Sequence, residues 1–298
     1  MKNKTIIALV WGAIAPIGVW AQDPLELKDE EALKDPLDKK TEIEAPATVA
    51  NSDLDSQAQK GTFRSDEVQL KQVRKGPDPT ANNLAKIPPD KRNELKDHMS
   101  RASVYVRGIR LQEALDELFK AEAIANEFDV KFFQLHNLKG AVYTKMRSFE
   151  EARVEFEKAI AIDGESFHPQ FNLAELDFVE ERFQGAEDGF SKLLERYGGL
   201  TPDGFRQILE STERLMQFKV LICMLKEGRE EDATNLIAKF NYLEDNPAYY
   251  YGNAAVEFSK ENKEEAQSWM KSAERIYDPA IREIFMDSFV EVGWVETL

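Results

Sequence analysis

From about residue 95 onward, apolar side chains recur at spacings of three, four and seven, the repeat that places them on one face of an α-helix. The clearest stretch is Phe133 to Ser166. Gly140 and Tyr143 fall on a first helix. After a turn at Arg147-Ser148, a second helix takes its apolar stripe from Phe149, Ala152, Phe156, Ala159, Ile160 and Ile162. The spacing predicts two antiparallel helices joined by a short turn, with small residues where they approach.

The same pattern returns along the chain. An alanine flanked by acidic and apolar residues recurs at Ala114, Ala152, Ala186, Ala233 and Ala266, at intervals of 38, 34, 47 and 33. A period of this size means that each copy is one supersecondary unit burying its apolar face on its neighbours. Weaker copies follow the clear one. Leu173, Ala174, Phe183, Ala186 and Phe190 mark the third unit; Met224, Gly228, Ala233 and Ile237 mark the fourth; Ala254, Ala266, Met270 and Ala273 mark the fifth. Ala102, Tyr105, Ala114, Leu118 and Ala121 mark the first. In the longest interval, Thr201 suits a helix cap and Pro202 a first helical position, which predicts an extended helix from about 202 to 226. Ala280 to Val292 places Ile281, Ile284, Phe285, Ser288, Phe289 and Val292 on one face, as a closing helix would.

With Gly140, Tyr143, Ala152, Phe156, Ala159 and a helix end at Gly164, the second unit resembles the tetratricopeptide repeat. It departs from that pattern at Lys139, whose packing role passes to Leu138 or Leu135. The resemblance covers roughly 95 to 293. It implies an all-α fold: an α-α superhelix, a right-handed solenoid of about five helix-turn-helix units plus a C-terminal capping helix.

In that family the first helices line a concave groove that takes extended peptides or helices of partner proteins. Carried to this chain, the groove of the second unit is lined by Gln134, Asn137, Ala141, Thr144 and Lys145. The third contributes His168, Phe171, Glu175, Phe178 and Val179, with Asn172 beside them. The fourth contributes Leu215, Phe218, Ile222, Leu225 and Lys226, and the fifth Tyr251, Ala255, Phe258 and Ser259. An apolar groove of this size expects a ligand. For Phe178 and Phe258 two readings stay open, because Asp177 and Glu257 hold the places of core aromatics. A small rotation of each helix turns both phenylalanines inward. Asn172 stands alone among Phe171, Glu175 and Leu138, so the version of the fold that clamps a terminal carboxylate is disfavoured.

Composition divides the chain into three regions, 1–21, 22–90 and 91–298. Residues 1–21 carry Lys2 and Lys4, an apolar stretch from Ile6 to Trp20 and a Val19-Trp20-Ala21 ending, the pattern of a cleaved signal peptide. That stretch is too short for the ~30 Å hydrocarbon core. The mature chain is therefore expected to be periplasmic or secreted, of bacterial type, without stable membrane insertion. Residues 22–90 are acidic, proline-containing and hold Phe63 as their one aromatic, so a disordered leader is expected. Of the 30 aromatics, 27 lie beyond residue 90, where the core must form.

The formal charge of −16 argues against nucleic acid as partner. The single Cys223 sits in an apolar run and excludes a disulfide framework within the chain. His98, His136 and His168 are spread over separate units, and no catalytic or metal motif is present. Acid pairs such as Glu150-Glu151 and Glu264-Glu265 suit the positive end of a helix start. No catalytic residue, metal or cofactor is expected. The sequence points to a non-enzymatic interaction scaffold that binds a protein or peptide, with a self-associating envelope protein, a homo-oligomer, as the alternative.

Overall fold

The computed structural model describes residues 83–200, 208–240 and 246–296. The signal segment, residues 22–82 of the leader and the Thr201-Pro202 helix start lie outside the described residues. Within them the chain is all-helical. Five helix pairs follow in order: α1 (Pro89–Arg107) with α2 (Leu111–Glu127), α3 (Phe133–Lys145) with α4 (Phe149–Ile162), α5 (Phe167–Val179) with α6 (Phe183–Tyr197), α7 (Glu210–Lys226) with α8 (Glu230–Ile237), and α9 (Pro247–Ser259) with α10 (Lys263–Glu274). A final helix, α11 (Pro279–Glu291), stands outside the pairing. The expected solenoid of five hairpins with a closing helix is the observed architecture.

Two boundaries differ from expectation. Leu84 and Ile87, assigned by composition to the leader, are buried with Leu95, and Arg92 donates to the Ile87 carbonyl at 2.8 Å. The helical unit thus starts before residue 91. The fourth unit's first helix begins at Glu210, because Leu209 ahead of it has extended backbone, φ −61° and ψ 141°. The helix expected from about 202 is broken there.

Each hairpin turns through one residue in the left-handed region: Ile109, Arg147, Glu181, Gly228 and Glu261, with φ between 58° and 77°. The next amide then donates across six residues to close the first helix: Arg110 to Tyr105, Ser148 to Tyr143, Arg182 to Asp177, Arg229 to Met224 and Asn262 to Glu257, at 2.8 to 2.9 Å. This is the Schellman closure, which satisfies orphaned carbonyls at a helix end. Each left-handed residue stands five places before its unit's alanine. The turn and the packing therefore share one period.

The alanines are where helices meet. Ala114, Ala152, Ala186, Ala233 and Ala266 are all 0% exposed. Gly140 carries the closest approach, since a Cβ there would lie 2.5 Å from the Phe156 ring. The same logic puts Gly189 against Ala174, at 2.8 Å for an added Cβ.

The core is not uniform along the solenoid. One cluster unites the first two units through Leu95, Leu118, Phe132 and Val142, and a larger one runs from Phe171 to Val292. Between them a small cluster of Ala141, Ala152, Phe156 and Leu176 is supplemented by polar contacts. Arg153 of α4 donates to Asp177 at 2.7 Å and pairs with Glu180, and Asn172 donates to Asn137 at 2.8 Å.

Candidate partner-binding face

α3 packs on α5 and α7 on α9, and Lys219 of α7 reaches Glu175 of α5, so these first helices share one face of the solenoid. α11 packs against α7, α9 and α10, so it lies over this face at its C-terminal end. Pro279 at its first turn and the Asp278 carboxylate, which accepts from the Ile281 amide at 3.1 Å, start the helix independently of its neighbours. Its apolar stripe then reaches the face. The Phe285 ring is 5.1 Å from Phe218 and 5.0 Å from Tyr251, and Phe289 is 5.5 Å from Phe218 and 5.1 Å from Phe258. Trp294, just beyond the helix, stacks on Phe258 at 6.0 Å. Such aromatic pairs contribute about 0.5–1.5 kcal/mol each beyond area burial.

Among the described residues the expected groove aromatics do not line an open apolar groove, and that expectation is corrected. Phe218, Tyr251 and Phe258 are 0%, 1% and 7% exposed, covered by α11. Ile222 is fully buried on the same helix as Phe218. Phe171 is buried for another reason: it packs on Phe167 of its own helix and Phe190 of α6. Phe178 turns inward against Phe183, and Phe258 meets both the closing helix and Trp294. Of the two readings, the inward one holds for Phe178, whereas Phe258 stays on the first-helix face and is buried there by α11 and Trp294.

The polar groove residues are engaged as well. Lys219 of α7, which sequence reasoning missed, is 3% exposed and donates to Glu175 of α5 at 2.6 Å and to Glu291 of α11 at 2.9 Å, with its ammonium 4.3 Å over the Phe178 ring. Burial works against its charge, but the two carboxylates outweigh burial and drive its pKa up. Burial pushes the Glu175 carboxyl up, with Lys219 opposing and Glu291 adding to the rise. Asp287 on α11 is likewise raised to about 7, by burial first and then by Glu291. Lys145, half-buried at the end of α3, is lowered by burial, with Asp287 as the acid acting on it. Lys226 donates to the Val292 carbonyl at 3.1 Å. The detectable signal was a lysine inside the apolar run from Leu215 to Leu225, with acids at the end of the last apolar stripe.

Leu135 and Leu138 pack in the core as expected, and Lys139 is buried beside them through ion pairs. It is 4% exposed, bridges Glu122 at 3.1 Å and Glu155 at 3.2 Å, and faces the Phe119 ring at 5.0 Å. Glu155 also meets His136 at 2.7 Å and Lys158 at 2.8 Å. Burial alone would raise this carboxyl, but the hydrogen bonds from His136 and Lys158, with Lys139 nearby, hold it down to about 2. The first unit repeats the arrangement with His98, Glu117 and Lys120. These histidines are thereby structural partners of carboxylates. His168 is lowered to about 4 by burial and is neutral at pH 7. The Cys223 thiol is buried in the core and pushed up by that burial, which makes it inert. Among the described residues no His, Cys, Asp and Glu group has the arrangement of a metal site. None of the described helices is long and apolar enough to cross a membrane.

The fold and this face define an α-α superhelix of the tetratricopeptide type. The chain is similar in fold to solved repeat structures. A structure of Podosopora anserina putative kinesin light chain TPR-like repeats aligns with a TM-score of 0.50 at 16% identity, over 61% of this chain and 93% of its own. A tetratricopeptide repeat protein from Parabacteroides merdae aligns at 0.43 and 16% identity, over 65% of this chain and 71% of its own. YrrB, described as a TPR protein with an unusual peptide-binding site, aligns at 0.42 and 19% identity, over 62% and 88%. No protein-family model matches the chain, and no curated protein matches it.

Proposed function

We propose that the chain is an exported, non-enzymatic interaction module whose first-helix face binds a protein or peptide partner. The observation that carries this reading is the seat of α11. Phe218, Tyr251 and Phe258 accept two aromatic side chains four residues apart on a helix, and Lys219 accepts an acid six residues after the first. A surface built this way recognises an amphipathic helix by anchors and one charge. Export is supported by the charged, apolar and small-residue pattern of residues 1–21. A non-enzymatic role is supported by the neutral, buried His168, the inert Cys223 and the carboxylate-paired His98 and His136.

The test is crosslinking and affinity capture with the mature protein from its native envelope extract, run beside a Lys145→Glu variant. Lys145 is half-buried on the same face next to α11. A partner enriched by the wild type and reduced by the variant is expected. No protein enriched over an unrelated helical-repeat control would sink the reading.

A further inference from the structure

The seat of α11 combines good apolar contacts with poorly settled polar ones. Two carboxylates, Glu175 and Glu291, meet the single ammonium of Lys219, and Glu175 Oε1 has no hydrogen-bond partner among the described residues. Ser288, on the buried stripe of α11, is 0% exposed with an equally unpartnered hydroxyl. Asp287, one position before it, has its carboxyl pushed up to about 7. Each of these polar groups is buried at a cost that a well-matched interface avoids. They gather in α11 and the surface below it.

The start of the helix is set locally by Asp278 and Pro279, and residues 275–278 are the turn that ties it to α10. The five helix pairs also pack on one another directly, and α11 adds its contacts to α7, α9 and α10.

We infer that α11 is an intramolecular occupant of the binding face, and that the face exchanges it for a partner helix bearing two aromatic side chains four residues apart followed by an acid two residues later. This deepens the proposed function and rests on the reading that the first-helix face is the binding face. The partner supplies the Phe285 and Phe289 contacts, meets Lys219 with its acid, and gains over α11 if it brings apolar groups to the places of Ser288 and Asp287. With α11 seated, apparent affinity is reduced by the fraction of molecules whose face is free.

The probe is a fluorescein-labelled peptide of residues 278–296, its binding read by anisotropy against the full chain. Two variants free the face by different routes: Phe285→Ala with Phe289→Ala removes the anchors, and Glu291→Lys sets a like charge against Lys219. The expected result is binding at least about tenfold tighter to either variant than to the wild type, and none of a peptide with alanine at both phenylalanine positions. Should the double variant lose its helical circular dichroism, Glu291→Lys decides alone. Equal binding to the wild type and the folded variants, or no binding to any, overturns the inference. Envelope capture that succeeds while the peptide fails leaves the binding reading standing and removes only the exchange. Peptide exchange without any captured partner has the opposite meaning.

Discussion

The ring of Phe285 lies nearly parallel to that of Tyr251, with 5.0 Å between centroids and 18° between planes. Tyr251 belongs to the first helix of the last pair and Phe285 to the closing helix, so this contact joins the solenoid to its own occupant. A double-mutant cycle of Tyr251→Ala and Phe285→Ala is expected to give a coupling of about 0.5–1.5 kcal/mol. Each single change should cost about 3–5 kcal/mol as buried aromatic bulk is removed. Urea unfolding of the four proteins measures both. Additive single effects would mean that α11 is not seated there in solution.

Ile109 is β-branched, 71% exposed and held at φ 58°. A left-handed conformation costs a non-glycine residue about 1–2 kcal/mol, and glycine carries an entropic cost of about 0.5–1 kcal/mol. Ile109→Gly is therefore expected to stabilise by up to about 1 kcal/mol, read as a higher urea midpoint with unchanged slope. Gly228→Ala, at φ 77° in the equivalent turn, should move the midpoint the other way.

Gly140 tests the close approach. Alanine there gains about 1 kcal/mol of helix propensity but sets its methyl group 2.5 Å from the Phe156 ring, an overpacking worth about 1–3 kcal/mol. Net destabilisation is expected in thermal unfolding. In a Phe156→Leu background the clash is relieved, and Gly140→Ala should become neutral or stabilising.

Asp287 gives α11 a pH dependence. Its carboxyl is raised from the ordinary 3.8 to about 7 by burial and by Glu291 and Glu283, against the attraction of Lys219 and Lys145. A group whose pKa is higher folded than unfolded contributes fully below its unfolded pKa, and that contribution is lost as pH rises through the folded value. The loss therefore runs from about pH 4 to about pH 7. Asp287→Asn should be close to wild type only near pH 4 and below, and more stable than it by a margin that grows up to about pH 7 and stays constant above, as read by urea midpoints. A gap that does not grow with pH would exclude this role for Asp287.

Much of the architecture was legible because it rests on local rules. Helix periodicity, the alanines at 114, 152, 186, 233 and 266, and Gly140 opposite Phe156 all express short-range requirements for space between paired helices. The turns were less visible, since only Gly228 announces a left-handed residue while Ile109, Arg147, Glu181 and Glu261 adopt it without glycine. Their positions nonetheless follow the alanine period. Lys139 and Lys219 were hidden because a buried lysine reads as exposed until its acids are placed around it, and those acids lie on other helices.

The amino-acid sequence by itself determined the repeat, the helix pairs, the closing amphipathic stripe and the acidic, aromatic-rich domain. Only the tertiary structure decided which aromatics are accessible. That choice depends on contacts such as Lys219 to Glu291, 72 residues apart, and Phe218 to Phe285, where a helix returns across the face of earlier units. Periodicity specifies which side of a helix is apolar. Which neighbour covers that side is settled by the superhelix bringing distant stripes and opposite charges within reach of each other.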